Sequence, residues 1–121
     1  MKRLLSLVLC IVTITVSTPF SLVNASSNIK TGRCGKNVKY TLNLKKKTLT
    51  IYGSGDMYDY EYGNYAPFAY IGGYETVIFK KGVTSVGNVS FAGNMGIWGG
   101  IKTVYLSDTI TDIGFCAFSF T

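Results

Sequence analysis

Sliding the sequence along itself by 27 residues brings Thr76-Val77-Ile78-Phe79 onto Thr103-Val104-Tyr105-Leu106, and Val83-Thr84-Ser85-Val86-Gly87 onto Ile110-Thr111-Asp112-Ile113-Gly114. In the same register Phe91 falls on Phe118. Thr76, Val77, Thr84, Gly87 and Phe91 recur identically, and Phe79, Val83 and Val86 recur as apolar residues. This constrains the fold more than composition does. A unit so short cannot bury its own apolar face, whereas stacked equivalent units share one core.

Each unit reads as a short strand, a turn holding Lys81-Gly82 or Asp108, a second extended piece ending at glycine, and an aromatic residue. Period-two alternation predicts Val77 and Phe79 inward with Thr76 and Ile78 outward. It likewise predicts Val104 and Leu106 inward with Thr103 and Tyr105 outward. Val83, Val86 and Phe91, with Ile110, Ile113 and Phe118, complete the expected inward layer. Upstream, Val38, Tyr40, Leu42 and Leu44 alternate with polar residues, as do Leu49 and Ile51 after the turn at Lys45-Lys46-Lys47. That is a hairpin with one buried face. The expected fold is therefore mostly β, a short repeat solenoid preceded by an N-terminal β-hairpin cap that covers its first apolar layer.

The residues Ile101-Lys102-Thr103-Val104-Tyr105-Leu106, Ile110-Thr111-Asp112-Ile113-Gly114 and Ala117-Phe118 resemble the BspA-like leucine-rich repeats of bacterial and protozoan surface proteins. The first copy departs from that pattern by carrying Ser90-Phe91 and a glycine-rich spacer from Gly93 to Gly100. The segment before the repeats is similar to the lead-in often found ahead of them: Gly32-Arg33-Cys34-Gly35, Tyr40-Thr41-Leu42, Thr48-Leu49-Thr50-Ile51, Gly53-Ser54-Gly55-Asp56-Met57 and Ala66-Pro67-Phe68. The resemblance implies recognition or adhesion, with an extracellular protein or glycan as partner and no cofactor. Its strand face would be the ligand face, with Thr76 beside Thr103 and Ile78 beside Tyr105. A sheet merely completed by these four residues is the plainer alternative.

Met1-Lys2-Arg3, the apolar stretch from Leu4 to Val16, Pro19 and then Val23-Asn24-Ala25 have the order of a secretory signal peptide, cut between Ala25 and Ser26. The apolar run is shorter than the ~20 residues that span a bilayer, so no membrane span is expected after cleavage. Leu9 before Cys10 is too large for a lipidation site. The expected division is 1–25 signal peptide, 26–73 capping hairpin and tyrosine-rich loop, and 74–121 two repeats, the second incomplete. A secreted or cell-surface location follows. Without residues 1–25 the chain has ten basic against six acidic residues. The lysine triplet reads as a solvated turn, and nucleic acid is not an expected partner.

The chain has no histidine, which excludes Ser/His/Asp and Cys/His nucleophile systems and histidine-containing zinc sites. Six of the nine tyrosines lie between Tyr58 and Tyr74, interleaved with Asp59 and Glu61. Tyr58, Tyr60, Tyr62 and Tyr65 suggest an aromatic platform for sugar, so a carbohydrate-binding module is the alternative function. The plainer alternative is a loop whose rings lean on the hairpin with their hydroxyls in water. A glycosidase pair among these carboxylates would need a defined separation across a cleft. Asp56, Asp59 and Glu61 also miss calcium-loop spacing. No catalytic or metal site is expected.

Export would place Cys34 and Cys116 where a disulfide can form. At opposite ends of a stack, however, they should lie beyond the ~7 Å Cα separation that a bridge tolerates. Asn88-Val89-Ser90 is a glycosylation sequon in a eukaryotic host. Thr121 corresponds to Asn94 at the repeat offset, so the second unit stops before its spacer. The chain could be the front of a larger multidomain surface protein. An uncapped last repeat would favour self-association.

Overall fold

A computed structural model describes residues 28–92 and 100–119. The segment expected to be a signal peptide, its expected cleavage pair Ala25 and Ser26, and most of the glycine-rich spacer lie outside the described residues. The described chain is mostly β. Its strands are β1 (Ile29–Arg33), β2 (Val38–Asn43), β3 (Thr48–Gly53), β4 (Thr76–Phe79), β5 (Ser85–Val86), β6 (Thr103–Tyr105) and β7 (Asp112–Ile113). One short helix, α1, covers Pro67–Ile71.

Five strands form a sheet in the order β1-β2-β3-β4-β6, and β5 pairs with β7 in a second ladder. The β1–β2 and β2–β3 pairs are antiparallel; β3–β4 and β4–β6 are parallel. The register between β4 and β6 matches the sequence repeat, with Thr76 opposite Thr103 and Ile78 opposite Tyr105. Ser85 opposite Asp112 gives β5–β7 the same offset. The parallel stack also extends backward. Thr48 lies opposite Thr76 and Ile51 opposite Phe79, a spacing of 28, and a further bridge joins Gly55 to Val83. Strand β3 is thus both the second half of a hairpin and the first winding of a stack of three.

The hairpin turn has a local cause. Asn43 Oδ1 accepts the Lys46 N–H at 3.0 Å, and Lys47 takes a positive φ of 55°. The Lys47 carbonyl then accepts the N–H groups of Glu75 and Thr76, and the Glu75 carbonyl accepts those of Lys102 and Thr103. A charge ladder runs beside these bonds, with Glu75 3.9 Å from Lys47 and 3.2 Å from Lys102. Both lysines are exposed and Glu75 only half-buried, so it adds only ~0–1 kcal/mol. Strand β1, which lacks an alternating apolar pattern, forms by pairing along its own whole length with β2. Its inward Gly32 leaves room for the Tyr40 ring.

Alternation buries Val38, Tyr40, Leu42, Leu49, Ile51, Val77 and Phe79 on the inner face. Opposite them lie Cys34, Met57, Phe68, Tyr74, Val83, Val86 and Phe91. Three phenylalanines, one per winding, form a column. The Phe68 and Phe91 ring centroids are 5.0 Å apart, and Phe91 stacks on Phe118 at 5.0 Å with only 7° between planes. Two residues expected inward in the last winding are left uncovered: Leu106 is 46% and Ile113 54% exposed. Their equivalents Phe79 and Val86 are sealed by flanking windings, and among the described residues no strand pairs with the free edge of β6.

The repeated glycine also has a packing cause. A Cβ on Gly87 would overlap the Tyr58 carbonyl oxygen, and one on Gly114 would overlap Asn88, in each case the preceding winding. Replacing Gly87 by Ala should therefore prise two backbones apart. Phe91→Ala removes the middle of the aromatic column and should cost about 3–5 kcal/mol. Urea unfolding should show both losses, with Lys46→Ala within about 0.5 kcal/mol of wild type.

Candidate functional site

The outer face of the sheet is the larger candidate. Strand pairing sets three rows across it: Asn43–Thr48–Thr76–Thr103, then Thr31–Thr41–Thr50–Ile78–Tyr105, then Arg33–Lys39–Tyr52. The four expected ligand-face residues thus stand together. Thr76 and Ile78 are half-buried, whereas Thr103 and Tyr105 are exposed, Tyr105 by 59%. Thr48 and Thr50 belong to the same surface, although the repeat offset did not reveal them. The shared pattern of Thr48-Leu49-Thr50-Ile51 and Thr76-Val77-Ile78-Phe79, 28 residues apart, was the available signal.

The tyrosine cluster is differently composed from its sequence expectation. Tyr62 and Tyr65 meet edge to face at 6.5 Å, and Tyr65 lies 6.1 Å from Tyr70. The Tyr70 hydroxyl accepts the Tyr65 N–H at 3.1 Å. Tyr70, placed by α1, therefore joins the platform. Tyr60 packs against the core and Tyr58 is held by its N–H to the Cys34 carbonyl. Tyr74 is not a loop ring with its hydroxyl in water but a core residue, 2% exposed, whose hydroxyl has no hydrogen-bond partner among the described residues. Burial pushes the Tyr60 and Tyr74 hydroxyls above the usual phenol range.

The carboxylates near the cluster tie windings together. Asp56 Oδ1 accepts the Thr84 hydroxyl at 2.6 Å. Asp59 Oδ1 accepts the Asn88 N–H at 2.9 Å, and Asn88 Oδ1 in turn accepts the Phe115 N–H at 2.7 Å. The sequon asparagine is thus a rung of a polar ladder, and Ser90 of that sequon is fully buried. Among the described residues, no group of three or more Cys, Asp and Glu is placed to hold a metal ion. No described helix is long and apolar enough to cross a membrane.

Both cysteines of the described chain are free thiols. Burial pushes the Cys34 thiol from 9.0 up to about 12. The Cys116 thiol is pulled below 9.0 by hydrogen bonds, first from Ser119 and then from Tyr62. Bonding to Cys116 in turn raises the Tyr62 hydroxyl.

The arrangement of parallel windings matches a solved structure. A leucine-rich repeat protein from Eubacterium ventriosum superposes with a TM-score of 0.64 and 28% sequence identity over 77% of this chain. The fold is a leucine-rich-repeat fold. This chain spans about a quarter, 24%, of that protein's length. No family model and no curated protein matches the sequence.

The two thiols give a direct check on this leucine-rich-repeat packing. Iodoacetamide at pH 8 should alkylate Cys116 at least about tenfold faster than Cys34, read by peptide mass mapping, because the reactive thiolate and access both favour Cys116. Denaturant should erase the difference. In the folded chain Cys34 keeps its proton up to about 12, while the unfolded chain ionises from 9.0. Stability should then be full below 9.0 and fall as pH rises toward 12, less steeply in Cys34→Ala.

Proposed function

We propose that this chain is an exported, non-catalytic protein of the BspA-like leucine-rich-repeat kind that recognises an extracellular protein through the outer face of its sheet. The parallel register carries this reading. It sets Thr76 and Ile78 against Thr103 and Tyr105 on a surface open to solvent. Parallel windings fix the backbone beneath these side chains, so a partner can bind without ordering a loop at the site. An exposed tyrosine supplies a large contact area with few rotatable bonds. In this reading the windings form a short solenoid, and β1–β2 cap it at one end.

The likeness to a leucine-rich repeat protein supports a protein-interaction role. The order of residues 1–25 supports export, to a secreted or cell-surface location. The exposed Leu106, Ile113 and Phe115 of the last winding support self-association, or continuation of the stack in a longer surface protein. The ring cluster of Tyr62, Tyr65 and Tyr70 supports a second reading, a carbohydrate-binding module.

One experiment separates the two. The chain is expressed in a bacterium, the exported species is collected, and its N-terminus is read. Ser26 is the expected first residue, and a retained chain beginning at Met1 contradicts export. The exported protein is then applied to an array of extracellular-matrix proteins and glycans. Tyr105→Ala and Ile78→Ala should each weaken binding to protein spots by about tenfold, as central aromatic and aliphatic contacts do. Tyr62→Ala and Tyr65→Ala should leave it unchanged. Binding confined to glycans and lost with the Tyr62 and Tyr65 variants would replace the first reading with the second.

A further inference from the structure

The third row of the outer face forms an open groove of about 390 Å³ lined by Thr31, Gly32, Arg33, Lys39 and Tyr52. Arg33, Lys39 and Tyr52 are direct cross-strand partners on β1, β2 and β3, and all three are exposed. Neighbouring strands stand ~4.8 Å apart. The row therefore presents a guanidinium, an ammonium and an aromatic ring in fixed order along one line.

We propose that this groove binds an acidic sugar, a uronate residue of a polysaccharide. Charge is the first reason. Residues 26–55 carry seven lysines and arginines and no carboxylate, whereas all six carboxylates of the chain lie beyond them. Among the described residues neither Arg33 nor Lys39 has an ion-pair partner, in contrast to Lys47 and Lys102, which flank Glu75. Arg33 is nonetheless positioned, because its Nη1 donates to the Lys36 carbonyl at 2.6 Å. Its remaining N–H groups form the planar fork that matches a carboxylate.

Tyr52 is the second reason. A carboxylate alone needs no ring, but the apolar CH face of a pyranose packs on one, while the Thr31 hydroxyl can bond to sugar hydroxyls. An acidic peptide suits the groove less. A peptide strand would add to the free outer edge of β1 and extend the sheet, rather than lie across the Arg33–Lys39–Tyr52 row on its face. The groove shares the outer face with the recognition surface proposed above but uses none of that surface's four residues.

The test is calorimetric titration of the protein with trigalacturonate, its methyl ester and inorganic triphosphate. Trigalacturonate should bind and weaken with salt; the methyl ester, which keeps the rings and loses the charge, should bind at least about tenfold less tightly. Arg33→Ala and Tyr52→Ala should each weaken trigalacturonate by about tenfold, and Arg33→Lys by nearly as much, because the fork is lost. Lys46→Ala, a cation in the hairpin turn, should change nothing. Thermal melts establish that each variant is folded, and Tyr52→Leu keeps the strand packing if Tyr52→Ala does not fold. No binding of trigalacturonate, equal binding of the ester, or triphosphate binding as tightly with no dependence on Tyr52 would each overturn the proposal. Failure here leaves the Tyr105 surface intact, since the protein array reads that surface through different variants.

Discussion

Parallel backbone pairing of β3, β4 and β6, at spacings of 28 and 27 residues, is the constraint on which the other features depend. Once the windings are in that register, equivalent residues have no freedom to be elsewhere. Phe91 and Phe118 become stacked rings, and Lys47, Glu75 and Lys102 a row of charges. Asp59 accepts from Asn88 and Asn88 from Phe115, so a polar ladder runs parallel to the backbone one. The energies are unequal. Burial of the aromatic column is worth several kcal/mol per ring, whereas the exposed charge row adds little. Apolar stacking stabilises the windings, and the hydrogen-bonded ladders set how they align.

The same register divides the outer face into two regions of different character. Toward β6 it is threonine-rich and ends in an exposed tyrosine; toward β1 it is cationic with one aromatic wall. The division follows from sequence order, because β1, β2 and β3 come from a segment without carboxylates, and β4 and β6 from one that contains all of them. The two proposed surfaces, one for a protein and one for an acidic glycan, therefore lie side by side. Neither region needs moving parts, since every side chain involved stands on a paired strand.

Much of this was legible in the sequence, for identifiable reasons. The 27-residue offset appears unchanged as the β4–β6 and β5–β7 registers, because a repeat written in core residues has to be satisfied by stacking. Alternation placed Val77, Phe79, Thr76 and Ile78 correctly. It did not show that Leu106 and Ile113 stay uncovered, since periodicity gives the direction of a side chain but not whether a neighbour covers it. The first winding was hidden because Thr48 to Ile51 sits at 28 rather than 27 and its phenylalanine, Phe68, is offset differently again. Strand β1 carries no apolar alternation and exists through pairing with β2. Val89 and Cys116, equivalent and chemically unlike, share a left-handed backbone with φ of 55° and 51°, a conformational repeat that no residue comparison could expose. The aromatic platform was half legible: composition marked the region, but only α1 brings Tyr70 to Tyr65 while the core takes Tyr60 and Tyr74.

The register of the three windings is the central claim, and backbone nuclear Overhauser contacts measure it most directly. The account predicts parallel-strand contacts that link Leu49 to Val77 and Val77 to Val104, with matching contacts joining Val86 to Ile113. Antiparallel contacts between these strands, or contacts shifted by one residue so that Ile78 and Tyr105 turn inward, would contradict it.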